Sequence, residues 1–323
     1  MKAITFSQYG SPDVLKYEDV PTPTPKDDEV LIKVHASSVN AADWHLLRAD
    51  PFLVRFMMGF TKPKINILGG DVAGTVEAIG RNVREFKVGD EVFGDVFDEN
   101  LGGFAEYKCA REKYLVAKPK NLSFEEAAAV PLASVTAYYG LRDVAKVQPG
   151  QKVLVNGAAG GVGTFAVQIA KALGAEVTAV CSTRNLEQSR SLGADYVIDY
   201  TKENFTKSGK QYDAIFCVNG YYPISDFKRS LAPNGIYAMA GGGNRLLLDA
   251  MFLAPLHSMF SGRKMTMVAS KPDKGRLSAV KELIESGKVR PVVEKTYPLS
   301  EVPDAIRYLE TGHARGKVVI KVA

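Results

Sequence analysis

Val153-Leu154-Val155-Asn156-Gly157-Ala158-Ala159-Gly160-Gly161-Val162-Gly163 is the stretch on which the fold turns. A run of apolar residues enters a glycine-rich turn, and Thr164-Phe165-Ala166-Val167-Gln168-Ile169-Ala170 continues with helical character. The spacing is G-x-G-x-x-G, with Ala158 in the first slot and Gly160 and Gly163 in the others. Gly160 lets backbone amides approach a pyrophosphate, and Gly163 lets the helix pack close to the strand. The helix N-terminus adds partial positive charge. Such a turn alone is weak evidence; a strand before it and a helix after it supply the context the motif requires. Ala158, Ala159, Gly160, Gly161, Val162 and Gly163 are therefore candidate dinucleotide contacts.

The surrounding sequence alternates. Strands are expected at 152–156, 176–181, 196–198, 213–217, 236–239 and 265–268. Helices are expected at 163–173 and 185–192, the second capped by Asn185 and closed by Gly193. That is the pattern of a doubly wound parallel sheet. Upstream, Val30, Ile32 and Val34 alternate with Leu31, Lys33 and His35, and short strands follow Gly69-Gly70 and Gly89-Asp90. They suggest a small barrel-like β domain. Ser123-Phe124-Glu125-Glu126 is a capping box, its helix stopped by Pro131, with a second helix from Ser134 towards Ala145. Downstream lie a helix through Leu277, Val280 and Ile284, a strand at 292–297, a helix at 302–309 and a strand at 317–322. Six strands already complete a dinucleotide sheet, so this tail is assigned to the first domain. The expected division is 1–122 plus 272–323 for the β-rich domain, with 123–271 inserted.

Composition bounds the function. The chain has 323 residues, 46% hydrophobic and 24% charged, which is ordinary for about two globular domains. The net charge of +5 is spread out, without the basic runs of a nucleic-acid or polybasic membrane segment. Cys109, Cys181 and Cys217 are odd in number and widely spaced, which suits a reducing compartment such as the cytoplasm. No signal peptide and no apolar run approaching a membrane span is evident, so neither secretion nor an integral membrane segment is expected.

An NAD site needs a carboxylate about 20 residues beyond the glycines, for the ribose 2′-hydroxyl. After the strand at 176–181 come Ser182-Thr183-Arg184, and the next acid in the sequence is Glu187. Two hydroxyls and a guanidinium suit a 2′-phosphate, which a carboxylate would repel. NADPH is the expected cofactor.

With this layout the chain resembles the medium-chain dehydrogenase/reductases, and more narrowly their zinc-free quinone oxidoreductase (zeta-crystallin-like) branch. The resemblance rests on Ser38-Val39-Asn40-Ala41-Ala42-Asp43, Gly69-Gly70-Asp71-Val72-Ala73-Gly74, Val88-Gly89-Asp90-Glu91-Val92, the glycine turn, Leu192-Gly193-Ala194-Asp195 and Gly316-Lys317-Val318-Val319. It implies an α/β protein: a GroES-like β-rich catalytic domain around an inserted Rossmann domain, with the active site in the cleft between them. It implies hydride transfer from NADPH to a small-molecule quinone or enone, in a homodimer paired through the Rossmann sheet. By matched position it places Asn40 beside the nicotinamide and substrate, Thr136 near the nicotinamide ribose, and Tyr200 at the 2′-phosphate. Asn219, Gly241, Gly242 and Gly243 then line the nicotinamide side, and Lys317 approaches from the tail. One departure is a missing lysine after the second Rossmann strand, where Leu186 stands nearby; Arg184 takes its part.

No metal is expected. The first zinc-ligand slot falls near Val39-Asn40, and the histidine of the zinc enzymes' Gly-His-Glu falls on Gly70. His35, His45, His257 and His313 are scattered, and the cysteines cannot complete a tetrahedral set. Quinones and enones accept hydride without a Lewis acid, provided the protein aligns the partners and stabilises the developing oxyanion. Asn40 is the candidate catalytic donor to that oxygen, with capping of the following helix as its plainer role. His45 and Tyr138 are weaker candidates as proton sources. The apolar stretches 51–60 and 246–260 are read as core, pocket, dimer contact or membrane-surface element. The rival functions are an enoyl or alkenal double-bond reductase and a non-enzymatic NADPH-binding sensor or scaffold.

Overall fold

Strand Lys152–Asn156, which carries the chain into the glycine turn, lies inside a six-stranded sheet whose neighbours are all parallel. The order is Tyr196–Asp199, Glu176–Cys181, Lys152–Asn156, Tyr212–Cys217, Leu231–Met239, Lys264–Met267. The chain first steps outward one way from Lys152–Asn156, then crosses back and steps the other way. The strand order therefore reverses between Lys152–Asn156 and Tyr212–Cys217, where doubly wound sheets take their ligands. Val153, Leu154 and Val155 are fully buried, as expected of a strand covered on both faces. The computed structural model describes residues 1–254, 258 and 262–323. His257 and part of the apolar stretch 246–260 lie outside them.

Two compact units are present: Met1–Ala133 with Lys271–Glu285 and Pro291–Ala323, and Ser134–Ser270 with Ser286–Arg290. Helix Phe124–Ala128 thus falls in the first unit. Ser123 caps it in the expected way: its Oγ accepts from Glu126 N at 3.2 Å, and Glu126 Oε2 accepts from Ser123 N at 2.9 Å. Helix Phe124–Ala128 stops short of Pro131, as expected, and Pro131 in turn opens the next helix, Pro131–Tyr138, where a missing N–H costs no intrahelical bond. The expectation for Asn185 needs correction. A 3₁₀ turn at Thr183–Asn185 precedes helix Leu186–Ser191, and the Asn185 amide donates to Ser182 Oγ at 3.2 Å without capping the helix.

In the first unit, strand Glu29–Val39 is long enough to serve two partners on one edge. Its first half pairs with Tyr107–Arg111 and its second half with Lys317–Lys321. On its other edge Asp71–Ile79, Glu91–Asp95 and Leu115–Ala117 follow in turn. Strand Val293–Pro298 lies parallel to Lys317–Lys321, the two joined through helix Val302–Glu310. The helix buries Val302, Ala305 and Ile306 among Ile4, Phe6, Leu47 and Val318.

Candidate functional site

Four strands of the first unit end close together and bring a polar cluster into an otherwise apolar interior. In register, Ser38 faces Asp71 across one strand pair and Asp71 faces Asp95 across the next. Lys317 opens the strand that pairs with Ala36–Val39. Asp71 is fully buried and Lys317 is 3% exposed. Asp71 Oδ2 accepts from Ser38 Oγ at 2.5 Å, from Asn40 Nδ2 at 2.8 Å and from Lys317 Nζ at 3.2 Å. Its Oδ1 accepts from Leu132 N at 2.8 Å. Lys317 Nζ also donates to Asn40 Oδ1 at 2.5 Å. The ammonium therefore ties the carboxylate and the carboxamide together.

Asn40 is the residue before helix Ala41–Arg48, and Asp43 accepts from its backbone N–H at 2.7 Å and from Gly69 N at 2.9 Å. The Asn40 side chain is spent elsewhere. Besides Asp71, its Nδ2 donates to Ser38 O at 3.3 Å. The carboxamide is held from both sides, and the longer Ser38 bond is the one it can exchange at least cost.

Two further carboxyls surround this cluster. Burial pushes Asp43 up to about 7, against the pull of its two backbone donors. Burial and the charge of Asp71 push Asp95 up to about 8, opposed by the Phe97 N–H at 2.9 Å. A carboxyl whose folded pKa lies above its unfolded value stabilises most at low pH, and that contribution is lost as pH rises through the folded value. Stability is accordingly expected to fall between about pH 4 and pH 8, most steeply below about pH 7, where both carboxyls contribute. Urea unfolding at pH 5 and pH 8.5 checks this, with Asp95→Asn flattening the profile. Equal stability at the two pH values would contradict it.

The second unit carries the other candidates. Gly160 is the N-cap of helix Gly161–Ala172, and the first helical amide bonded back to the turn is that of Thr164, to Gly160 O at 2.9 Å. The three amides before it sit where every helix leaves its N–H groups without intrahelical partners. A Cβ at Gly160 would meet nothing within 4 Å, whereas one at Gly163 would lie 2.1 Å from Gly157 O. Gly160 thus borders open space and Gly163 is wedged against the turn, the two roles a diphosphate cradle requires. Ala158 and Ala159 are buried beneath it. Gly157, at φ +85°, presses on Asn219, whose backbone carbonyl accepts from Asn156 Nδ2 at 2.8 Å. Asn219 and the turn are therefore neighbours across the point where strand order reverses. Gly241 would touch Val218 O if it had a side chain, Gly242 has φ +135°, and Gly243 borders open space. Thr136 is buried on helix Pro131–Tyr138.

Ser182, Thr183 and Arg184 follow strand Glu176–Cys181, and Tyr200 N donates to Cys181 O at 3.1 Å, so Tyr200 stands beside them. Thr183, Arg184 and Tyr200 are exposed. The expectation that this corner lacks an acid holds along the sequence but not in space. Asp199, opposite Cys181 in the sheet, accepts from Thr183 Oγ1 at 2.5 Å.

The two proton-source candidates have partners of their own. His45 is held by Asp50 O and stacks on Trp44, and Tyr138 lies under Arg142. His35 packs on Phe124. In the apolar stretch 51–60, Val54 and Met58 pack on the core, whereas Phe52, Phe56 and Phe60 are 55%, 67% and 58% exposed and touch one another. Core packing thus accounts for only part of it.

Residues 26–120 match the alcohol dehydrogenase GroES-like domain, and residues 192–320 match the zinc-binding dehydrogenase family. The 2-methylene-furan-3-one reductase of Solanum lycopersicum is 39% identical, over 99% of this chain and 79% of its own. The NADPH-dependent alkenal/one oxidoreductase of Arabidopsis thaliana chloroplasts is 38% identical over the same shares. The chain belongs to the quinone oxidoreductase branch of the medium-chain dehydrogenase/reductases. The solved quinone oxidoreductase of Coxiella burnetii superposes with a TM-score of 0.90 at 32% identity, covering 100% of this chain and 99% of that one.

Zinc, which one family description names, does not fit the residues of this member. Among the described residues no group of three or more His, Cys, Asp or Glu is placed to hold a metal ion. The Asn40 position offers a carboxamide already bonded to an ammonium, which repels a cation. Also among the described residues, no helix is long and apolar enough to cross a membrane.

What sequence reasoning missed was the acids. Asp71 and Asp43 stand inside quoted motifs, yet only strand register shows that they meet Lys317 and Asn40. Asp199 was masked by its distance along the chain from Thr183.

Proposed function

We propose that this chain is an NADPH-dependent reductase of quinones and carbonyl-conjugated alkenes. The observation that carries the reading is similarity along essentially the whole chain to a named NADPH-dependent alkenal/one oxidoreductase, 38% over 99% of the residues. The open space at Gly160 and the wedged Gly163 support it independently.

NADPH, when bound, supplies a hydride. The chain's own residues bind and orient. Amides at the start of helix Gly161–Ala172 hold the diphosphate, and Ser182, Arg184 and Tyr200 surround the 2′-phosphate. Thr136, Asn219 and Gly241 to Gly243 are assigned to the nicotinamide side. Asn40 takes the acceptor oxygen by giving up its 3.3 Å bond to Ser38 O, while Lys317 and Asp71 keep the carboxamide in place. The acceptor is already electron-poor, so hydride addition leaves an oxyanion that Asn40 stabilises, and water supplies the proton that completes the reduction. Among the described residues, edge strand Lys264–Met267 pairs on one side only, which supports a homodimer formed through this sheet. Three free thiols suit a reducing compartment such as the cytoplasm.

The test follows NADPH absorbance with a panel of quinones and enals. Turnover with both classes is expected. Tight NADPH binding without consumption would make the protein a sensor, and enal-only turnover would narrow it to a double-bond reductase. Arg184→Ala is expected to weaken NADPH binding by about 1.5–3 kcal/mol and leave NADH nearly unchanged. Equal loss for both cofactors would remove Arg184 from the 2′-phosphate.

A further inference from the structure

Asp199 is 6% exposed, yet it sits at the corner assigned to the 2′-phosphate. Strand Tyr196–Asp199 runs parallel to Glu176–Cys181 and ends level with it, so the carboxylate comes up beneath Thr183. Its Oδ2 accepts from Thr183 Oγ1 at 2.5 Å, and its Oδ1 accepts from Thr201 Oγ1 at 2.7 Å and Thr201 N at 3.0 Å. The two hydroxyls stand 3.2 Å apart. A hydroxyl has one hydrogen, and each of these turns it to Asp199. A phosphate monoester offers only acceptors at neutral pH, so neither hydroxyl can serve it without leaving the carboxylate. The hydrogen bonds from Thr183 and Thr201 lower the carboxyl's pKa and so favour its ionised form. Lys202 Nζ stands 3.7 Å from Asp199 Oδ2, on a side chain 69% exposed.

We infer that Asp199 is a specificity-determining residue that restrains the preference for NADPH over NADH. It does so by occupying the hydroxyls of Thr183 and Thr201 and by setting a like charge near the 2′-phosphate. This rests on the cofactor reading above and refines it: Thr183, a candidate contact by sequence, binds Asp199 and gives the phosphate no hydrogen. Arg184, Tyr200 and Ser182 carry the recognition against this opposing charge. The preference is thus a balance, and the loop accepts both nucleotides with a moderate bias.

The test titrates the full-length chain with NADPH and with NADH, following the fluorescence of the reduced nicotinamide. Asp199→Asn keeps the shape and the acceptor for Thr201 N, removes the charge and releases a hydroxyl hydrogen. It is expected to raise the NADPH-over-NADH affinity ratio about tenfold, the scale of one like charge removed from beside the phosphate. The increase is expected to shrink at high salt. Thr183→Val, at an exposed position, is expected to leave the ratio within about twofold, since the hydrogen it deletes never reached the phosphate. An unchanged or lower ratio in Asp199→Asn overturns the inference, as does a tenfold loss of NADPH affinity in Thr183→Val. If the unaltered chain binds neither nucleotide, the cofactor reading falls and this inference with it. Tight NADPH binding with an unmoved ratio sinks the inference alone.

Discussion

Lys317→Met is expected to destabilise the protein by about 3–5 kcal/mol, the cost of removing one partner from a buried ion pair. Methionine fills much of the volume, so little of the loss comes from a cavity. The loss comes from Asp71, which is fully buried and keeps Ser38, Asn40 and Leu132 as donors but no counter-charge. Neutral donors do not offset the desolvation of a carboxylate this deep, and Asp95 and Asp43 nearby add acidic groups and no cation. The same substitution releases Asn40 Oδ1, so the carboxamide loses its anchor. Urea unfolding measures the first effect, and NADPH turnover with a quinone measures the second. Asp71→Asn combined with Lys317→Met is expected to recover a large part of the stability, because it removes the orphaned charge; the coupling should reach about 1–3 kcal/mol. A single variant within about 1 kcal/mol of the parent would show that the ammonium is not what neutralises this cluster.

Gly163→Ala and Gly160→Ala should separate folding from binding. At Gly163 the added methyl would lie 2.1 Å from Gly157 O and 2.8 Å from Ala158 C. Both are backbone atoms, so the clash is relieved only by lifting the helix away from the turn. A cost of about 3 kcal/mol, at the upper end for overpacking, is expected, together with at least a hundredfold loss of NADPH affinity as the helix amides move. At Gly160 the methyl meets nothing within 4 Å, and φ of −78° suits any residue. Stability should change by less than about 1 kcal/mol. Affinity should still fall at least tenfold, because the methyl stands where a phosphate must approach. Thermal unfolding without nucleotide and fluorescence titration with it check the pair. Unchanged affinity in Gly160→Ala would place the diphosphate elsewhere.

Much of the second unit was legible because its signals are local. Period-two and helical runs, Gly193 and the glycine spacing each act within a few residues, so the six strands fell within a few residues of expectation. Asn185 shows the limit. An asparagine ahead of a helix permits two local outcomes, a cap or a turn, and tertiary packing chooses. Asn40 was legible as a special position through its motif and its helix-capping place. Its use was not, because Lys317 reaches it from 277 residues away. Asp199 is the same case at shorter range: 16 residues separate it from Thr183, and only parallel pairing of two strands closes that gap. Charge read along the chain therefore under-reported the acids at both sites.

The pairing of Lys317–Lys321 with Ala36–Val39 also orders events during synthesis. A ribosome delivers the glycine turn and all six parallel strands before it delivers the strand that completes the first unit. Until then Asp71 waits without its ammonium, and an edge of the sheet stays unzipped. The inserted unit can mature co-translationally, while its host closes only once Lys317–Lys321 has emerged.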